Sequence, residues 1–411
     1  MNVSGPQSHP PDAAGVAVPS DGPSGVPPEA GTAVTPAPGT AGVGTPGAGI
    51  AGARAAGAGT PGAGTAVSGI ASAGAGGAGA ATPAHGTSLR RLIDRYALLL
   101  AWIATIALFG VLEPDTFLRA ANFTSMFSSQ AVLVVLTYAL LVSLTAGEYD
   151  LSAAPVLTLS AMVLAILNAQ MGVPIGVAIV LALLAGGVAG VVNGILVVWV
   201  GIESIIVTLG TGTLVSGIVL WISNSEMVSG ISQTLVNWVI VPRLWGVSFG
   251  FVYALGLTVA LWYVLDYTPL GLRLLFVGRG RRVARLSGLN VARLRFGALV
   301  SCSLLAAFAG VLYAGTSGAA DPNSGDSFML PAFAAAFLGS TAVRPGRFNA
   351  WGSFTAVYFL VTGITGLSLM GIQIFIQDLF YGMALIVGVT LSLLVRRREQ
   401  RERDVAETPE D

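Results

Sequence analysis

All 20 basic side chains of this 411-residue chain are arginines, and they gather on one side of a ladder of long apolar segments. A helix that crosses a bilayer takes roughly 20 apolar residues, because lipid offers no partner to an open backbone group. Apolar runs of that kind, uncharged but for Asp378 in the last, occur near 96–112, 131–147, 151–169, 174–199, 204–223, 247–265, 296–316, 328–343, 350–367 and 374–395. Counted alternately from a cytoplasmic N-terminus, these ten runs put Arg90, Arg91, Arg95, the seven arginines from Arg273 to Arg295, Arg344, Arg347 and the five from Arg396 to Arg403 on one face. That is 17 of the 20, with only Arg119 and Arg243 opposite and Arg54 far out in the N-terminal segment. Such an excess marks the cytoplasmic face. The expected fold is therefore all-α, a polytopic membrane protein of about ten transmembrane helices with both termini in the cytoplasm.

Composition agrees: 54% hydrophobic and 10% charged residues with a mean hydropathy of +0.78 leave too little polar surface for a water-soluble globule. Residues 1–88 are almost wholly Gly, Ala, Pro, Thr, Ser and Val, with "GTPGAG" at both 44–49 and 59–64. A segment that cannot bury enough surface to offset its ordering entropy is expected to be a disordered cytoplasmic tail, and it lacks the pattern of a secretory signal. The transmembrane body is expected over 89–398 and a short charged cytoplasmic tail over 399–411. Two stretches, 118–129 and 226–242, read as partial or surface helices. Gly/Ala-rich runs such as "LALLAGGVAGVVNG" (181–194) let helices approach closely and point to packing rather than chemistry.

Several functions are excluded by what is missing. Without lysine there is no GxxxxGK[ST] phosphate loop and no Schiff base, so ATP is bound by another polypeptide if it is used. The only histidines, His9 and His85, stand in the N-terminal segment, which removes histidine metal sites and Ser-His catalysis from the membrane body. Cys302 is alone and cannot form an intrachain disulfide. No catalytic residue, metal or cofactor is expected, and the zero formal charge gives no reason to expect nucleic acid as a partner.

The longest charged segment between spans is 267–295, with "VARLSGLNV" at 283–291, where Gly288 can end a short helix begun near Arg281 and Asn290 can cap the next. On charge alone its arginines fit an anchor to lipid headgroups. Asp150 and Ser152 in "GEYDLS" precede an apolar run, where they either cap the first helical turn or line a path if that helix begins below the membrane surface. Asp321, Asn323, Ser324 and Asp326 stand before the eighth span on the opposite face, as an inverted repeat would place them. Thr208, Thr211, Thr213, Asn168 and Asn193 offer neutral groups that either join helices or hydrogen-bond a polyol. Gln377 and Asp378 are read as lying deeper in the last span, where an ionisable group is costly.

Four ordered segments resemble the membrane permeases of ribose/xylose-type sugar ABC importers: "LTAGEYDLSAAPVLTLSAMV" (144–163), "IVTLGTGTLVSGIVLWIS" (206–223), the loop string at 283–291, and "AAFLGSTAVRPGRFNAWGS" (335–353). The resemblance spans about residues 95–395. It implies a multi-pass protein of the bacterial plasma membrane that moves a monosaccharide or similar small polar solute, delivered by an extracytoplasmic binding protein and driven by a cytoplasmic ABC ATPase. A second permease copy, in the simplest case a homodimer, is implied too. By the same resemblance Arg281, Arg282, Ala284, Arg285, Leu286 and Gly288 couple to the ATPase, while Asp150, Ser152, Thr208, Thr211, Asp326, Gln377 and Asp378 are candidates for the path. Departures such as Ala153, Ala154 and Pro155 after Ser152, or Glu203 and Ser204 before Val207, bear on the solute rather than the fold. The competing reading is an ion-coupled secondary transporter.

Overall fold

The computed structural model describes residues 86–407 except 241, 242, 245 and 374. The Gly/Ala/Pro-rich segment up to residue 85, with His9, Arg54 and His85, lies outside the described residues. Helix α1 (Gly86–Leu112) and a short α2 (Pro114–Phe117) are followed by α3 (Ala120–Ser129) and α4 (Ala131–Thr145), which meet at a 41° bend. Then come α5 (Ala153–Ala165) and α6 (Ile175–Ile195), each finishing in a π-helical turn, and α7 (Ser204–Ile222). Helices α8 (Gln233–Val239), α9 (Phe249–Tyr267), α10 (Pro269–Arg279) and α11 (Arg281–Leu286) lead to the 27-residue α12 (Val291–Ser317). Helices α13 (Asp326–Gly339), α14 (Ala350–Leu369) and α15 (Phe375–Glu407) complete the described chain. Strand β1 (Val228–Ser229) pairs antiparallel with β4 (Ala319–Ala320), and β2 (Arg243–Leu244) with β3 (Val247–Ser248).

Among the described residues eight helices are long and apolar enough to cross a membrane, and the bent α3–α4 pair makes a ninth. The tenth expected crossing is the 14-residue α13. About 21 Å of helix falls short of a hydrocarbon layer of roughly 30 Å, so α13 alone does not cross it. Segment 118–129, expected as a partial or surface helix, is α3 from Ala120 onward, bent by 41° against α4. Segment 226–242 holds β1 and the seven-residue α8 instead of one amphipathic helix, because Gly230 turns the chain at φ +89° and Ser232 caps the Thr234 amide. Helix α15 runs on without a break from the last span as far as Glu407.

Helix α12 is the axis of the bundle and packs along α4, α5 and α6. Gly186, Gly190 and Gly194 recur every fourth residue and so form one ridge on α6. A Cβ there would lie 2.4 Å from the Ala307 Cβ, 2.8 Å from the Ser303 Cβ and 2.4 Å from Phe296, respectively. Backbones this close compensate for the missing hydrophobic drive between helices in lipid. The Ala307 carbonyl of α12 also accepts the Ser160 hydroxyl of α5 at 2.9 Å.

Helices α5 and α13 enter from opposite sides by span count, yet their starts touch. The Gly325 amide donates to the Thr158 Oγ1 at 2.9 Å, and a Cβ on Gly325 would stand 2.4 Å from the Ala154 carbonyl. Two helices whose first turns meet in the interior aim their positive ends and open amides at one region, the arrangement that half-helices provide in transporters.

Candidate functional site

The chain between α4 and α5 is irregular backbone inside an apolar bundle, so each of its polar groups needs a partner. Helix α4 ends in a Schellman turn: Gly147 takes φ +77°, its amide donates to Leu144 and the Glu148 amide to Ser143, both at 3.0 Å. The next amides are satisfied by α7, where the Tyr149 N–H donates to Ser204 Oγ at 3.3 Å and the Leu151 N–H to Thr208 Oγ1 at 3.0 Å. Small hydroxyl residues in the first two turns of α7 thus serve as the wall of this loop.

A single chain of polar contacts then runs through the interior. Asp150 Oδ1 accepts the Ser152 amide at 3.0 Å and the Ser152 hydroxyl at 2.5 Å; Ser152 Oγ accepts Asn193 Nδ2 at 2.7 Å; and Asn193 Oδ1 accepts the Thr211 hydroxyl at 2.6 Å. Asp150, Ser152, Asn193 and Thr208 are buried. The Cys302 thiol lies beside the Asp150 carboxylate, whose Oδ2 receives no N–H or O–H donor among the described residues. Cys302 is the seventh residue of the apolar run 296–316 of α12, about 10 Å into a layer of roughly 30 Å, which sets the cluster well inside the layer. The expectation that Ser152 caps α5 is overturned, because its hydroxyl is held by Asn193 and Asp150 and accepts no helical amide.

Asp150, Ser152, Thr208 and Thr211 are therefore one assembly, joined by Asn193. Asp326, Gln377 and Asp378 are not joined to it by any hydrogen bond among the described residues. Asp326 is exposed in the first turn of α13; Asp378 is exposed in the first turn of α15, so it stands near the start of the last span rather than deep within it. Asn168 binds the Val173 carbonyl and the Ser232 amide and thereby fastens a connecting segment. Thr213 folds back on Leu209 in its own helix. Asn193→Leu removes both bonds that link α5, α6 and α7, while Thr211 retains the Val207 carbonyl at 3.0 Å. Uptake of a solute, the activity the resemblance implies, is expected to fall about tenfold or more at unchanged protein level in membranes, since the buried Ser152 hydroxyl loses its amide donor and α6 loses its polar joint to α5 and α7; uptake equal to that of the unaltered chain would count against any part for the cluster in transport.

Helix α11 is a six-residue element between two spans, closed by a second Schellman turn with Gly288 at φ +79° and its amide on the Arg285 carbonyl at 3.0 Å. Asn290 caps α12 by accepting the Arg293 amide at 3.0 Å. The two faces of α11 differ. Ala284 is fully buried among Val277 and Val291, so it cannot be the contact expected of it. Val283 and Leu286 stand 61% and 81% exposed beside the exposed Arg282 and Arg285. The outward face of α11 is thus an apolar pair flanked by two cations, outside the spans.

Arg281 faces inward, toward a residue the sequence reading missed. Glu148 is fully buried; its Oε1 accepts Arg281 Nη2 at 2.8 Å and Arg295 Nε, while Oε2 has no partner among the described residues. One signal could have found it: a carboxylate two residues before Asp150, at the end of an apolar run and on the side where the arginines gather. A second pair, Asp266 with Arg344 at 2.6 Å, ties the end of α9 to the α13–α14 connection.

Residues 121–389 match the family described as branched-chain amino acid transport system / permease component. The D-allose transport system permease protein of Escherichia coli K12 is 29% identical over 304 residues, covering 74% of this chain and 93% of that protein. The ribose import permease protein of Bacillus subtilis 168 is 29% identical over 301 residues, 70% of this chain and 88% of that protein. The autoinducer 2 import system permease protein of Yersinia enterocolitica is 29% identical over 290 residues, 70% of this chain and 79% of that protein. No solved structure matches the chain.

Proposed function

The chain belongs to the family of branched-chain amino acid transport system / permease components, and from that premise we propose that it carries a monosaccharide or a similarly small polar solute inward across the plasma membrane. It is the multi-pass permease subunit of an ATP-binding cassette importer and works with a separate ATPase and a solute-binding protein. The ion-coupled transporter weighed from the sequence finds no support, for the relatives are importer permeases.

The observation that carries the reading is α11, with Val283 and Leu286 bare between Arg282 and Arg285 at the foot of the bundle's axial helix. That face docks the ATPase. The buried line of Asp150, Ser152, Asn193, Thr208 and Thr211 lies on the path, where hydroxyl and amide groups replace the water that a polyol sheds. Relatives that carry allose and ribose support a sugar as the solute. A second copy of the chain and lipid share the exposed apolar faces of α6, α7 and α15, which gives a homodimer. Both termini lie in the cytoplasm with the arginines.

Uptake into cells that express the chain with its ATPase and binding protein is expected to stop when ATP is depleted and to survive a protonophore that leaves ATP intact. Uptake lost to the protonophore but indifferent to ATP would overturn the reading.

A further inference from the structure

The contacts at Glu148 join two parts of the chain that sequence separates by about 130 residues. On one side is the α4–α5 connection, which carries Glu148 and, two residues later, Asp150. On the other is the α10–α12 unit, which carries α11. Four contacts lock them. Arg281, the first residue of α11, and Arg295, in the second turn of α12, grip the same Glu148 oxygen from both ends of the short helix. Arg281 Nη2 also donates to the Gly147 carbonyl at 3.3 Å. Gly278 of α10 lies so close to the end of α4 that a Cβ on it would be 2.2 Å from the Thr145 carbonyl.

A carboxylate buried completely is stable only while its cations stay with it, so neither part can move far without the other. The Arg281 side chain is 48% exposed and reaches inward from the helix that faces the cytoplasm, whereas Arg295 is 14% exposed and fixed on the axial helix. Push α11, and the first rigid group to receive the displacement is Glu148. From Glu148 the path has little slack, because Tyr149 and Leu151 are bonded to α7 and Asp150 is bonded to Ser152, which holds Asn193 of α6.

We propose that the Arg281–Glu148–Arg295 clasp is the joint that transmits movement of α11 into the Asp150–Ser152–Asn193–Thr211 line and so separates α5 from α6 and α7. Glu148, Arg281 and Arg295 are positioning residues, since they touch neither solute nor ATP. The inference rests on α11 being the ATPase's docking helix.

The lone thiol reports the movement. Cys302 is fully buried beside Asp150 and becomes reactive only if the line parts. In the complete complex, N-ethylmaleimide labelling of Cys302 is compared with and without ATP and vanadate, in the unaltered chain and in Arg281→Gln and Glu148→Gln variants. Trapping is expected to speed labelling about tenfold in the unaltered chain and less than about twofold in either variant, with the ATPase still co-purifying and still hydrolysing ATP. Arg281→Gln leaves Glu148 paired with Arg295 and so guards against a Glu148→Gln chain that fails to fold. An equal rise in the variants, or none in the unaltered chain, overturns the clasp. An ATPase that fails to bind even the unaltered chain overturns the docking reading instead.

Discussion

Leu286→Asp is expected to abolish uptake while leaving the chain at its normal level in the membrane. At 81% exposure Leu286 contributes almost nothing to the fold, so the substitution leaves the isolated chain intact. In the docking we propose, the same side chain is covered by the ATPase. Burying it contributes about 1.5–3 kcal/mol, and a carboxylate in its place adds the cost of taking an unpaired charge out of water. A loss of about 3 kcal/mol is roughly a hundredfold in docking affinity. The check is co-purification of the ATPase with the variant beside an uptake assay. Full uptake with a firmly bound ATPase would place the contact elsewhere on the loop.

Gly310→Val is expected to remove folded protein from the membrane altogether. A Cβ at Gly310 would sit 2.2 Å from the Leu157 carbonyl and 3.0 Å from the Ser160 Cβ of α5. The first of these is helix backbone, which cannot rotate away, so α5 and α12 must separate along their shared face. Overpacking of that kind costs about 3 kcal/mol or more in a bundle whose stability depends on close packing. Gly297→Val, on the same helix where a Cβ meets nothing within 4 Å, is the matched control. Protein level and thermal unfolding in detergent are expected to match the unaltered chain for Gly297→Val and to collapse for Gly310→Val.

The spans were legible because lipid imposes one condition, closed backbone hydrogen bonds over a fixed length, and arginine placement orders them. Breaks within spans were less legible. The bend between α3 and α4 falls at Gln130, a residue with no breaker chemistry, and is set by what the two arms pack against. The short turns of the cytoplasmic loop could be read from Gly288 and Asn290, since left-handed backbone and amide capping are local matters. Which face of α11 points outward could not, because Ala284 is turned inward by Val277 and Val291 from neighbouring helices. Likewise "GEYDLS" advertised Asp150 and Ser152, but their partners Asn193 and Thr211 lie 41 and more residues away. Glu148 became meaningful only when Arg281 and Arg295 folded back onto it.

The most direct test is the sidedness of position 286. A Leu286→Cys chain in a Cys302→Ala background is treated with a membrane-impermeant maleimide, in intact cells and in inverted vesicles with or without the ATPase subunit. A permease driven from the inner face requires no labelling in intact cells, rapid labelling in inverted vesicles, and protection when the ATPase is bound. Labelling of intact cells, or labelling in inverted vesicles that the ATPase leaves unchanged, would contradict it.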